Sequence, residues 1–360
     1  MKRRVELGLL HSRSGSYALM SKASLTGALA AIDAVNADAG LPVYFTSVQR
    51  DPCGNADAYG PLCEEILRDS SARHVVGCVT SLSRKEVIPS LEKLDGTLWY
   101  PLPYEGFEAS DRVIYTHACP NQHLLPLLDW AMPAHGRRVY LTGSNYIWGW
   151  EINRLARMTI VEAGGVVLGE RYLPIGATDV ERMIDEIRVS CPDFVLNSLV
   201  GASSYAFLRA YHALSLTDPR FTPERCPMLS CNLTECEFPP LGAAAEGLIS
   251  AGPYFRGISG WQGQIDFGSS HEAASYGAVT ELARLLAHHG PGSEHLPLAQ
   301  LLAGAGGMVD AGTHHTRLPV IIAQVRNGAF EVIQNRGIVV GDPFLSRDVG
   351  TAATPLRVVS

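Results

Sequence analysis

The sequence predicts an α/β protein built as two doubly wound βα lobes. Three observations carry this. Short apolar runs alternate with segments whose apolar residues recur at helical spacing. The alternation begins afresh after Cys119-Pro120. At 360 residues the chain is also longer than one hydrophobic core usually sustains.

In order, "VELGLL" reads as a strand, and Leu25, Leu29, Ile32 and Val35 mark a helix closed by Gly40. "PVYFTSV" is a second strand, followed by a helix carrying Tyr59, Leu62 and Ile66. "HVVGCV" is a third strand, and Val87, Leu91 and Leu94 mark a third helix. The second series pairs "RVYLTG" with a helix near Trp148 to Gly164, "VVLGERYLP" with one near Val180 to Ser190, and "DFVLNSLVG" with one near Ser203 to Leu214. Repeated βαβ units imply open, mostly parallel sheets covered by helices. Near the end, "PVIIAQVRNGAFEVIQ" puts Asn327-Gly328 between two strand-like runs, which predicts an antiparallel hairpin packed on the second lobe.

Composition excludes several classes. Hydrophobic residues make up 46% and charged residues 18%, which rules out disorder. No stretch holds the roughly 20 uninterrupted apolar residues of a membrane span, so no membrane insertion is expected. A net charge of −7 without a basic cluster argues against direct nucleic-acid binding. In "MKRRVELGLLHSRSG" the acidic Glu6 and the short apolar run argue against an export signal, which leads to a cytoplasmic expectation. The eight cysteines are too sparse for a disulfide scaffold and are expected to be free thiols. "CPMLSCNLTEC" lacks zinc-knuckle spacing, so its thiols read as buried and inert, and neither metal nor cofactor is expected.

In open α/β sheets ligands sit beyond the carboxyl ends of the strands. Those ends are 11–17, 50–55, 78–83 and 100–107 in the first lobe, and 143–149, Pro174 and 199–204 in the second. The stretch "WYPLPYEGFE" (99–108) carries four aromatic rings in a chain that is only 8% aromatic. Tyr146, Trp148 and Trp150 follow the matching strand of the other lobe. Two aromatic walls predict a cleft between lobes, lined by 78–83, 100–107 and 143–149. Catalytic signatures are missing: there is no GxSxG elbow, Walker A loop or HExxH helix. "AGAGGMVDAG" (303–312) follows a helical segment rather than a strand, and His288-His289 and His314-His315 lack the i,i+4 spacing of a helical metal pair. A two-domain α/β enzyme is therefore disfavoured.

The stretches "VGCVTSLSRKEVIP", "YPLPYEGFE", "CPNQH" and "GSNYIWG" resemble the amide-sensing negative regulators of bacterial aliphatic amidase operons. More distantly they resemble the urea and branched-chain amino-acid binding proteins of ABC transporters. The resemblance implies a type I periplasmic-binding-protein fold, with three chain crossings between lobes and a ligand cleft. Break points near Pro120, Gly252-Pro253 and Leu318 assign 1–119 with 253–318 to one lobe, and 120–252 with 319–360 to the other.

Carried over residue by residue, the amide site falls on Ser81, Tyr100, Pro103, Tyr146 and Trp148, with Tyr104 on the same loop. Val79 and Leu102 stand where the regulators have a tyrosine and a threonine. The resemblance implies a non-enzymatic sensor of a neutral amide or urea-like molecule, more apolar than acetamide, acting on an RNA-binding antiterminator, with homodimerisation compatible. The alternative is the substrate-binding component of an ABC transporter for urea, short-chain amides or branched-chain amino acids, working with an ABC permease in the periplasm.

Overall fold

The computed structural model describes residues 2–108, 110–258 and 265–346. The parts of the lobe assignment that fall on 1, 109, 259–264 and 347–360 lie outside the described residues. The first lobe contains β1 (Arg3–Leu10), α1 (Ala18–Ala37), β2 (Val43–Arg50), α2 (Tyr59–Asp69), β3 (His74–Gly77), α3 (Ser81–Leu94), β4 (Thr97–Tyr100) and β5 (Val113–Tyr115). The strands form an all-parallel sheet in the order β2-β1-β3-β4-β5. Strands such as "HVVG" and "TLWY" are buried throughout, as expected where helices cover both faces.

The chain then passes through α4 (Leu124–His135) into β6 (Arg138–Ser144), α5 (Ile147–Glu162), β7 (Val166–Leu173), α6 (Glu181–Ser190), β8 (Phe194–Ser198), α7 (Gly201–Thr217), β9 (Met228–Ser230) and β10 (Ile249–Gly252). Next come α8 (Ser270–His289) and α9 (Leu298–Leu302), followed by the hairpin β11 (Leu318–Arg326) and β12 (Ala329–Val339). The second sheet runs β12-β11-β10-β9-β8-β6-β7. Its strands β6 to β10 are parallel, and β11 runs antiparallel to both β10 and β12. Asn327 (φ 53°) and Gly328 (φ 77°) supply the two left-handed residues that a tight hairpin turn needs.

Helix α1 is long and apolar enough to cross a membrane by length and composition. In the fold it is a core helix instead. Ala28, Ala31, Ile32 and Val35 pack with Val279, Leu282 and Leu286 of α8 over the first sheet. The two helices approach so closely that a Cβ on Gly27 would stand 2.0 Å from the Glu272 carbonyl oxygen. All eight cysteines are free.

Gln122, just after the first sheet, ties its own stretch of chain to two segments far along the sequence. Its side-chain amide donates to the carbonyls of Thr316 (3.0 Å) and Val339 (2.8 Å), and its oxygen accepts from the Cys119 amide (3.2 Å). Fully buried, this one side chain satisfies one carbonyl at the connection before β11 and one at the end of β12.

Candidate ligand-binding site

The order β2-β1-β3 reverses direction between β1 and β3, and the order β8-β6-β7 does so between β6 and β8. Such switch points open a crevice at the carboxyl ends of strands, because successive connections leave to opposite faces. A pocket with about 320 Å³ of free space, part of it open to solvent, lies there, walled by both lobes. From the first lobe come Tyr17 and Met20 after β1, Val79, Thr80 and Ser81 after β3, and Tyr100, Leu102 and Pro103 at and after β4. From the second come Tyr146 and Trp148 after β6, Val200 after β8 and Asn232 after β9. A second cavity, of about 360 Å³, involves only α7 and its neighbours near the amino-terminal ends of β9 and β10, where no such convergence occurs.

The structure thus brings Val79, Ser81, Tyr100, Leu102, Pro103, Tyr146 and Trp148 together around one cavity. Tyr104 does not join them. Its ring is buried and stacks on Tyr115 at 4.2 Å, and its hydroxyl closes the local loop by donating to the Glu108 carbonyl and accepting from the Glu108 amide. The other rings of 99–108 also divide. Trp99 belongs to the core behind the sheet, and Phe107 is exposed, lying 4.9 Å beneath the Arg154 guanidinium of α5. Trp150 is exposed on α5 and bonded to Asn145, so the second aromatic wall is Tyr146 and Trp148 alone.

Tyr17, Thr80 and Val200 come from strand-end segments legible in the sequence, but nothing marked those residues within them. Asn232 was hidden because β9 is only three residues long, and its sequence drew notice for its cysteines.

The hydrogen-bonding state of the wall is polarised. The Ser81 hydroxyl donates to Glu105 at 2.6 Å, so towards a ligand it can only accept. The Tyr100 hydroxyl donates to the Val79 carbonyl at 3.3 Å and likewise keeps acceptor capacity. The Trp148 indole N–H and the Tyr17 hydroxyl are buried without a hydrogen-bond partner among the described residues. The first turn of α3, capped by Thr80 on the Ser83 amide, borders the same cavity, and first-turn amides lack intrahelical partners.

Behind Ser81 stands a buried ionic network that the sequence reading missed. Arg84 pairs with Glu105 (2.7 Å) and Glu108 (2.8 Å), and Lys85 reaches the other Glu108 oxygen. The Arg84 guanidinium also lies 4.7 Å from the Tyr104 ring and 4.9 Å from that of Tyr100. Burial opposes ionisation of Glu108, but the charges and hydrogen bonds of Arg84 and Lys85 outweigh it and hold its carboxyl down at about 2. The only advance signal was "SRKEVIP", which places Arg84 one helical turn after Ser81.

One glycine marks a close approach of the two lobes beside the cavity. Gly201 opens α7 with φ +58°, and a Cβ there would stand 2.1 Å from the Ser16 carbonyl oxygen in the other lobe. Both the left-handed backbone and the close approach require glycine.

Comparison with known proteins agrees with this architecture. A solute-binding protein of an ABC transporter from Rhodopseudomonas palustris HaA2, solved with p-hydroxybenzoic acid, superposes with TM-score 0.80 at 19% identity, covering 95% of this chain and 99% of that one. Another from R. palustris, solved with benzoate, gives TM-score 0.81 at 15% identity over 94% and 98%. The branched-chain amino acid transporter substrate-binding protein LivJ from Streptococcus pneumoniae, solved with isoleucine, gives 0.76 at 16% over 94% and 99%. At these identities the likeness shows the fold. The family model described as "Periplasmic binding protein domain" matches residues 5–279, and this chain belongs to that family.

Proposed function

We propose that this chain is a solute-binding protein that captures a small planar molecule between its lobes and delivers it to an ABC permease. The observation that carries this is the cavity walled by both lobes at both switch points. The transporter role is favoured over the antiterminator-regulating role because the solved proteins of like shape named above are transport components. A periplasmic location goes with it, in place of the cytoplasmic one first expected. The reading includes the lobe assignment 1–119 with 253–318 and 120–252 with 319–360, which the packing of α8 on α1 and the Gln122 clasp support.

The ligand is read from the wall. Trp148 can only donate, and Ser81, its proton committed to Glu105, can only accept. A primary amide offers the matching carbonyl and N–H₂, and the aromatic and aliphatic lining suits an apolar body behind it. Val79 and Leu102 favour that body over acetamide. A carboxylate would satisfy the donors but leave Ser81 facing a second acceptor.

A thermal-shift panel of benzamide, butyramide, acetamide, benzoate, 4-hydroxybenzoate and isoleucine tests this. Benzamide and butyramide are expected to raise the melting temperature most, and Trp148→Phe to weaken them by roughly 10-fold, in line with one lost hydrogen bond. Tight binding of benzoate or isoleucine without benzamide would reject the amide head while keeping the solute-binding role. A flat panel would count against both.

A further inference from the structure

We propose that Cys236, Glu237 and His271 form a site for a zinc-type divalent transition-metal ion, fastening the β9–β10 connection to the start of α8. Their ligand atoms (the Cys236 sulphur, a Glu237 carboxylate oxygen and a His271 ring nitrogen) all lie within 4.8 Å of one another. None of the three lines the ligand cavity, and the inference does not depend on what that cavity holds.

The set is unlike an ordinary core cluster. His271 is completely buried, and neither of its ring nitrogens has a hydrogen-bond partner among the described residues. Glu237 is 1% exposed; its Oε1 accepts from the Tyr205 hydroxyl at 3.0 Å, while its Oε2 is likewise unpartnered. Buried polar atoms are rarely left unpaired, because each forfeits hydration without compensation. Here three unpaired atoms from two side chains gather beside a thiol. The neighbouring histidine does not fill the gap. His117, 5.3 Å from His271 between ring centroids, uses one nitrogen on the Ser270 hydroxyl and accepts the Ala118 amide on the other.

Sulphur, imidazole nitrogen and carboxylate oxygen are the donors zinc prefers, at about 2.0–2.3 Å from the metal, which sets ligand atoms roughly 3.3–3.8 Å apart. Closing the cluster by about an ångström asks for small side-chain rotations. A thiolate and a carboxylate together balance a divalent charge, and their two protons leave to solvent on binding. A fourth position stays open for water. Tyr205, holding the other carboxylate oxygen, would orient Glu237 as an outer partner.

Equilibrium dialysis of the chelator-treated full chain against Zn²⁺ tests the site, with Co²⁺ as a spectroscopic probe. One equivalent of Zn²⁺ is expected. Co²⁺ is expected to give a thiolate charge-transfer band that Cys236→Ser abolishes and Cys53→Ser, at the exposed thiol, leaves unchanged. His271→Asn should weaken binding at least 100-fold and Tyr205→Phe about 10-fold, with circular dichroism verifying the fold of each variant. No uptake by folded wild type, or a cobalt band that survives Cys236→Ser, would overturn the proposal.

Discussion

Two buried polar clusters in this chain each contain a carboxylate, and they are finished differently. Around Arg84, two carboxylates (Glu105 and Glu108) meet two cations (Arg84 and Lys85), with Ser81 and Tyr115 adding hydrogen bonds to the carboxylates and one guanidinium nitrogen left without a hydrogen-bond partner among the described residues. Around Glu237, one carboxylate meets a thiol, an imidazole with no hydrogen-bond partner among the described residues, and a tyrosine hydroxyl. The effect on acidity is opposite: Glu108 is held down at about 2, whereas burial pushes Glu237 up to about 7. The first cluster is internally neutral and serves as a rigid backing for the ligand cavity. The second lacks a cation, which is why it invites one.

The sharpest way to break this contrast is Arg84→Met. Removing the central cation leaves the buried Glu105 without its counter-charge and Glu108 with Lys85 alone, and the expected loss is about 3–5 kcal/mol in denaturant unfolding. A loss under about 1 kcal/mol would mean that Glu105 and Glu108 are satisfied without Arg84. Acid titration probes the same cluster with less disruption. Because the folded pKa of Glu108 lies below its unfolded value near 4.5, its contribution is complete above that value and disappears as pH falls towards 2. The stability lost over that window should be on the order of 3 kcal/mol, and Glu108→Gln should flatten it. The smallest effect is expected at the other cluster. In metal-free protein Glu237→Gln keeps an acceptor for Tyr205 and replaces a carboxyl whose ionisation burial already opposes, so unfolding at neutral pH should change by less than about 1 kcal/mol. A loss comparable to that of Arg84→Met would show that Glu237 already has its counter-charge and that the two clusters are alike.

Legibility in the sequence followed periodicity. The long alternating elements β1 to α3, and β6 to α7, together with the Asn327-Gly328 hairpin, lie where apolar spacing and turn chemistry put them. Short, fully buried strands such as β5, β9 and β10 carry too few residues for a period to emerge, and α8 went unread. The cavity lining was accessible because strand-end loops can be enumerated from the sequence. Tyr104 was misjudged for the same reason: belonging to the right loop does not fix which way a ring turns, and here Tyr115 and the Glu108 backbone turned it inward.

By itself the sequence determined the class of fold, the two lobes and the loops that face each other, since each depends on local patterns that hydrophobic burial enforces. Only the tertiary structure decided which polar groups are already paired. Ser81 looks like a free hydroxyl in the sequence, but its proton is committed to Glu105, 24 positions away. Cys236 and Glu237 meet His271 only because α8 returns to pack on α1 beside the β9–β10 connection. Hydrogen bonds and ligand sets are short-ranged and directional, so they exist only once chain segments distant in sequence have been brought within a few ångströms.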